Sequence, residues 1–395
     1  MKSLLISKIY FPPQVGGISQ YMVSVAKALG PEEICCLTGL RAKSYGTNND
    51  NAVERELQAR VYRRPYAFSP ATVIQGPALA ATLMEIMVRE RPQVVQLASV
   101  FEGYLGLHLN RWLKLPYVVY AHGNEILQIA EQKWEKPRLC LQRASRVLAN
   151  SYFTAELVSR WGAAPERNIV LHPGCDTERF RPRETGSELR QRVLGHHCGK
   201  KVILTIGNLV ERKGHDMVIK ALPKVLRVVP DAIYLIVGDG ACRPKLEDLA
   251  SEMGVRDHVV LAGYLSDHHL PEIYALGDVF VMPSRARIEN CDVEGFGLVF
   301  LEASACGKPV IAGRSGGIPD AVDHGVTGYL VDPGDPDEIA EYLIRILQDP
   351  TLAGRLGESG RKRVLREFTW DHFASKLRQI LSSVVDEQSS RTANL

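Results

Sequence analysis

Short apolar runs recur along this chain, with helical spacing between them. In the first half, Ser3–Ser7 (SLLIS), Val94–Leu97 (VVQL), Tyr117–Tyr120 (YVVY), Val147–Ala149 and Ile169–Leu171 are such runs. A second series holds Lys201–Ile206 (KVILTI), Ala232–Val237 (AIYLIV), Val259–Ala262, Val279–Met282 and Pro309–Ala312. Runs this short and this apolar read as strands buried on both faces. Strands alternating with helices build a parallel sheet with crossover helices. Pro173-Gly174 and the polar segment 176–185 separate the two series, and 395 residues exceed one ordinary core. The expectation is two doubly wound α/β domains, residues 1–180 and 181–369, with a last helix of about 370–390 packing back on the first. Ligands of such sheets bind beyond the carboxyl ends of the strands, so the predicted site is a cleft between two facing domains. The polar end, Asp386–Leu395, is expected to fray.

Composition narrows the function classes. The net charge of +3 is too small to imply nucleic acid. It is unevenly spread: residues 1–180 carry 21 Lys/Arg against 15 Asp/Glu, and the remainder 27 against 30. The first half is thus the one suited to an anionic partner or membrane surface. Arg55, Arg60, Arg63 and Arg64, with the RWLK of Arg111–Lys114, are the candidates for peripheral contact with anionic lipid. No stretch approaches about 20 uninterrupted apolar residues, the length that crosses a bilayer. The run after Met1 is interrupted by Lys8, too soon for a signal peptide. The eight cysteines include Cys35-Cys36 but no C-x-x-C spacing, and read as reduced, buried fillers of a cytoplasmic protein.

The stretch Asp292–Glu302, DVEGFGLVFLE, sets two glutamates eight positions apart around a Gly-Phe-Gly turn. Eight residues of helix rise about 12 Å. Paired carboxylates of a retaining glycosidase must lie about 5–5.5 Å apart. The two glutamates therefore read as reaching two parts of one ligand. The glycines between them expose backbone N–H groups at a helix start, a favourable place for phosphate or sugar hydroxyls. GNLVERKG, Gly207–Gly214, follows a strand and puts Arg212 and Lys213 where a diphosphate could be met. His122 in AHGNE and Gly16-Gly17 each follow a strand in the same way. A core histidine and a tight turn are their plain alternatives. Ser315–Pro319 is a further loop at the same edge. Gly238-Asp-Gly240 lacks the third glycine of a dinucleotide fingerprint, which disfavours a nicotinamide dehydrogenase. Asp335-Pro-Asp337 fits D-x-D but reads as a turn and helix cap, so no metal is implied.

Together these motifs resemble glycosyltransferase family 4, the retaining sugar-nucleotide transferases of GT-B fold. The E-x7-E of Glu294 and Glu302, Gly207 through Lys213-Gly214, Gly16-Gly17 and His122 carry the likeness. More narrowly, FPPQVGGISQY and the stretch from MPSRAR to GIPDAV resemble the mannosyltransferases that add the second mannose in phosphatidylinositol mannoside synthesis. The resemblance implies GDP-mannose as donor, a lipid-linked or oligosaccharide acceptor, and no required cofactor or catalytic metal. It implies that Lys213, with Arg212, neutralises the donor diphosphate and that Glu302 binds the ribose. Glu294, with the backbone of Gly295, Phe296, Gly297 and Leu298, would hold the transferred sugar. His122 would contact that sugar near its anomeric carbon, Gly16 and Gly17 would approach the donor phosphate, and Gly263, Tyr264 and Leu265 would contact the base. Where the family commonly has an arginine after Gly207, this chain has Asn208.

The implied reaction is retaining transfer of a hexose to a hydroxyl, with the leaving phosphate deprotonating the acceptor on the same face. The implied place is the cytoplasm, at the inner face of the membrane. Rival readings are a UDP-sugar-dependent transferase of cell-surface polysaccharide synthesis, a sugar-nucleotide epimerase or phosphorylase, and a non-catalytic nucleotide-sugar binder.

Overall fold

A computed structural model describes residues 1–8, 11, 16–39, 57, 59–63, 72–132, 134–184 and 186–393. Pro12–Val15 of the first glycine loop and Arg55 and Arg64 of the basic cluster lie outside them. The chain forms two compact units: Met1–Pro173 together with Trp370–Leu395, and Gly174–Thr369.

The first unit is built on seven parallel strands: β1 Ser3–Ser7, β2 Ile34–Thr38, β3 Val61–Arg63, β4 Val94–Leu97, β5 Tyr117–Ala121, β6 Arg146–Ala149 and β7 Asn168–Val170. Their order is β3-β2-β1-β4-β5-β6-β7. The direction of winding thus reverses between β1 and β4. Every residue of β1, β2, β4 and β5 is buried, as a sheet covered on both faces requires. Three polar side chains inside it are linked in a chain. Tyr120 donates to Gln96 Oε1 at 2.7 Å, Gln96 Nε2 to Ser3 Oγ at 2.7 Å, and Ser3 to the Glu33 carbonyl at 3.0 Å.

The second unit has six parallel strands: β8 Lys201–Ile206, β9 Ala232–Val237, β10 Val259–Gly263, β11 Val279–Met282, β12 Val310–Gly313 and β13 Gly328–Val331. Their order, β10-β9-β8-β11-β12-β13, places the reversal between β8 and β11. Alternate residues serve opposite cores: Val202, Leu204 and Ile206 join one cluster, Ile203 the other.

Three strands went unread in the sequence. In β2 the apolar run is half cysteine (ICCLT), β3 is three residues long, and β13 opens on glycine (GYLV). Residues 174–180, expected with the first domain, belong to the second unit. Cys175 N–H donates to the Phe368 carbonyl at 2.7 Å, and buried Phe180 packs edge-on against Tyr274. Nor does the end of the chain fray at Asp386, because the helix runs from Trp370 to Ala393. Arg146 grips Glu387, and Gln388 Nε2 donates to the Lys114 carbonyl at 3.1 Å. Further up the same helix, Phe373, Leu377, Leu381 and Val384 are buried with Leu5, Tyr21, Met22 and Val25 in the first unit's core.

Leu377 is fully buried in that cluster. Leu377→Ala should therefore destabilise the protein by about 2–5 kcal/mol, the cost of lost transfer plus a residual cavity. Denaturant unfolding followed by tryptophan fluorescence measures it.

Candidate functional site

In the second unit the winding reverses where β8 and β11 lie side by side, and the loops leaving these strands meet there. Gly207–Gly214 leaves β8 and lies flat against the end of β9. Gly207 N–H donates to the Val237 carbonyl at 2.9 Å, Leu209 N–H to the Asp239 carbonyl at 3.0 Å, and Cys242 N–H to the Leu209 carbonyl at 3.0 Å. This approach explains Gly238-Asp-Gly240. A Cβ on Gly238 would stand 2.1 Å from the Gly207 carbonyl oxygen, and one on Gly240 2.6 Å from that of Leu209. The loop then makes a single tight turn, Glu211–Lys213, and Gly214 at φ +74° opens the helix His215–Val228. From the β11 side, Arg285 N–H donates to the Arg212 carbonyl at 2.9 Å.

The turn delivers Arg212 and Lys213 to the carboxylates of the DVEGFG stretch. Lys213 Nζ donates to Glu294 Oε2 at 2.6 Å, and Arg212 Nη1 donates to the same oxygen. Arg212 Nε donates to Asp292 Oδ1 at 2.7 Å. The side chains of Arg212, Lys213 and Glu294 are 15, 12 and 15% exposed. Burial opposes ionisation of Glu294, but the two cations outweigh it and hold the carboxyl at about 2. Burial also pushes the Lys213 ammonium below its ordinary value, against the pull of Glu294. The backbone of Glu294 is fixed as firmly. Gly317 N–H donates to its carbonyl at 2.9 Å, and a Cβ on Gly316, at φ +55°, would come within 2.4 Å of that oxygen. The Ser315–Pro319 loop is thus packed on Glu294.

Gly297, at φ +90°, caps a helix running from Leu298 to Ala305, with Phe296 buried behind it and Gly295 half-buried. Since the helix begins only at Leu298, half of the expected rise between the two glutamates is not helical. Glu302 accepts from the Tyr274 hydroxyl at 2.7 Å. Burial raises its carboxyl above the usual range, although Tyr274 and the charge of Arg179 pull the other way. Gly263, at φ +72°, ends β10. After it Tyr264 is 68% exposed and Leu265 packs on the core. The Asn208 side chain is exposed, and its backbone carbonyl faces His215 Nε2 at 3.3 Å.

In the first unit the reversal falls between β1 and β4. His122, 6% exposed, follows β5 beside it. Its Nε2 lies 2.8 Å from the Ala98 carbonyl after β4, its ring meets Tyr21 edge-on, and its backbone N–H donates to Glu125. Gly16 caps the helix Gly17–Leu29, and both glycines are exposed; among the described residues no atom would lie within 4 Å of a Cβ on either. Of the predicted residues, Arg212, Lys213 and Glu294 form one ion-paired cluster. Glu302 stands apart from it on Tyr274, and His122, Gly16 and Gly17 share the carboxyl edge of the other sheet.

Sequence reading missed Asp292, Tyr274 and Arg285 as participants. Asp292 was visible two positions before Glu294, and Arg285 lay within MPSRAR. Arg285 Nη2 donates to both carboxylate oxygens of Asp216, at 2.9 and 3.1 Å, behind the turn. The Asp335 side chain caps the following helix by accepting from Asp337 and Glu338 N–H. Among the described residues no group of three or more His, Cys, Asp or Glu is placed to hold a metal ion.

Comparison with known proteins defines the class. Residues 15–179 match the family described as Glycosyltransferase Family 4, and residues 187–363 match Glycosyl transferases group 1. The fold is that of solved GT-B glycosyltransferases. The chain is similar to HepE of Anabaena solved with UDP and glucose (TM-score 0.76, 22% identity, covering 97% of this chain and 100% of that one). Sucrose-phosphate synthase of Thermosynechococcus elongatus matches equally well (TM-score 0.78, 22% identity, covering 98% and 100%).

The chain belongs to glycosyltransferase family 4. It is 33% identical over 393 residues to a GDP-mannose-dependent alpha-(1-6)-phosphatidylinositol monomannoside mannosyltransferase of Mycobacterium tuberculosis, covering 96% of this chain and 98% of the relative. The protein of the same description in Mycolicibacterium smegmatis is 34% identical over 385 residues, covering 94% and 96%. A D-inositol 3-phosphate glycosyltransferase of Thermobifida fusca is 30% identical over 375 residues, covering 87% and 83%.

The depressed Glu294 carboxyl has a sign that can be checked. A carboxylate held low in the folded state adds stability that is complete above its ordinary value of 4.5 and is lost as pH falls toward about 2. Acid unfolding of the wild type should therefore lose stability across that window. Glu294→Gln should lose less there while being less stable at neutral pH. Parallel pH series of denaturant midpoints provide the comparison.

Proposed function

We propose that the protein transfers mannose from GDP-mannose, with retention of anomeric configuration, to a hydroxyl of a lipid-linked acceptor of the phosphatidylinositol mannoside type. The observation that carries this reading is the pair of largely buried cations, Arg212 and Lys213, converging on Glu294 Oε2 at the β8–β11 reversal. Likeness over nearly the whole chain to GDP-mannose-dependent transferases supports the choice of donor.

The chemical demand is to stabilise a departing diphosphate and an oxocarbenium-like sugar. Preorganised charge in a site of low dielectric meets the first need. Glu294 Oε2 accepts from both cations. The donor's diphosphate would share them and free Glu294 Oε2 to accept hydrogen bonds from the sugar hydroxyls. The nearby charges of Lys213 and Arg212, which hold the carboxyl low, keep it an acceptor at neutral pH. Glu302, positioned by Tyr274, would accept from the ribose hydroxyls. His122, braced on the Ala98 carbonyl, would contact the sugar near its anomeric carbon. Gly16 and Gly17 would let backbone approach the donor phosphate, and Gly263, Tyr264 and Leu265 would border the base. In the transfer the anomeric C–O bond to the phosphate breaks. The acceptor oxygen bonds to that carbon on the same face, and its proton passes to the leaving phosphate. Such an acceptor would set the reaction at the inner face of the cytoplasmic membrane.

A thermal-shift series with GDP-mannose, UDP-glucose, UDP-N-acetylglucosamine and the free nucleotides tests the donor. GDP and GDP-mannose should stabilise the protein, whereas stabilisation by the UDP ligands alone would overturn the mannose assignment. Lys213→Ala should lower kcat at least about 100-fold in transfer of labelled mannose to phosphatidylinositol monomannoside. Near-normal turnover in that variant would rule Lys213 out as the group that neutralises the diphosphate.

A further inference from the structure

The first unit has a concave feature on the edge of its sheet opposite His122. All its strands are parallel, so their amino ends share one edge. A cavity of about 850 Å3 opens there, bordered by Lys114 before β5, Ser145 and Arg146 at the start of β6, and Glu166 and Arg167 before β7. The helix Glu135–Arg143 and the last turns of the Trp370–Ala393 helix close its sides. None of the residues assigned to the transfer reaction lines it.

Its charge is one-sided. Arg111, Lys114, Lys136, Arg143, Arg167 and Arg391 line it and form no ion pair among the described residues. A seventh cation, Arg146, is occupied by Glu387. The remaining carboxylate in the lining is Glu166. Like charges gathered in a concavity repel one another, and a bound anion relieves that cost. Guanidinium forks match phosphate oxygens in pairs, and four of the six unpaired cations are arginines. The volume is that of a small-molecule site. Beside it Trp112 is 71% exposed, under the Arg111 guanidinium at 5.4 Å, and Tyr104 carries Lys136 Nζ over its ring at 5.5 Å. The Arg60 cluster singled out in the sequence offers less, because Arg60 and Lys2 are both bound to Glu90, at 2.9 and 2.6 Å.

We infer that this cavity is a binding site for a group bearing two or more phosphates, separate from the donor site and independent of the donor's identity. The same chemistry is presented by a phosphorylated lipid headgroup and by a free polyphosphate. The test uses the full chain and two probes: inorganic triphosphate in calorimetric titration, and sedimentation with phosphatidylcholine vesicles with and without phosphatidylinositol 4-phosphate. Three proteins are compared: wild type, Lys213→Ala, and the triple variant Arg143→Gln, Arg167→Gln, Arg391→Gln. The expected result is binding retained in Lys213→Ala and weakened at least about tenfold in the triple variant, at unchanged melting temperature. Arg391→Glu alone, on the exposed last turns of the C-terminal helix, should weaken it in the same direction. Triphosphate binding with that pattern supports a free-ligand site, and binding of the phosphoinositide vesicles alone supports a headgroup site. No binding of either probe to the wild type, binding lost in Lys213→Ala, or binding unaffected by the arginine variants would overturn the inference.

Discussion

Glu294 holds Arg212 and Lys213 with a single carboxylate oxygen, and much of the second unit is arranged so that it can. The partners are some 80 positions apart in the chain. Two loops must therefore arrive at one point from β8 and β11. The glycines of β9's end let the first loop lie down, Gly316 lets the backbone of Glu294 close against the loop after β12, and Arg285 ties the two approaches together. The cluster is costly to break from either side. Removing one partner of a largely buried pair leaves an uncompensated charge, a larger penalty than the net worth of the pair. The same arrangement that pairs the cations also orients them and strips them of part of their water.

Different residues of this fold were legible to different degrees. KVILTI and AIYLIV could be read as buried strands because nothing polar interrupts them. ICCLT, VYR and GYLV could not, because cysteine and glycine are weak strand signals and three residues are too few for a pattern. These strands are made by their neighbours in the sheet. Glu294, Lys213 and Gly214 stood out through spacing around glycines. Asp292, Tyr274 and Arg285 did not, because their importance lies in pairings over tens of positions that only the folded sheet brings about. Gly238 and Gly240 were noticed for what they were not. Their real reason is the approach of another backbone, which no local pattern encodes. The chain's end was misread for a related cause: a polar segment looks unheld until Arg146 and the Lys114 carbonyl are placed beside it.

The first unit divides its labour between the two edges of one sheet. Its carboxyl edge carries His122, braced on the Ala98 carbonyl, and the glycine start of a helix. At the amino edge positive charges outnumber the carboxylates, Glu166 and Glu387. The excess of basic residues in the first half of the sequence is thus concentrated where the strands begin, away from the residues assigned to transfer.

The return of the chain to its first unit has a consequence for biosynthesis. Residues 174–369 are inserted between two parts of a single core, and Phe373, Leu377, Leu381 and Val384 reach it last. A nascent chain therefore emerges with its second unit complete in sequence while the first still lacks one wall. Until the final helix leaves the ribosome, an apolar face including Tyr21, Met22 and Val25 waits uncovered. Premature termination between Thr369 and Val384 would thus injure the half of the molecule that was made first.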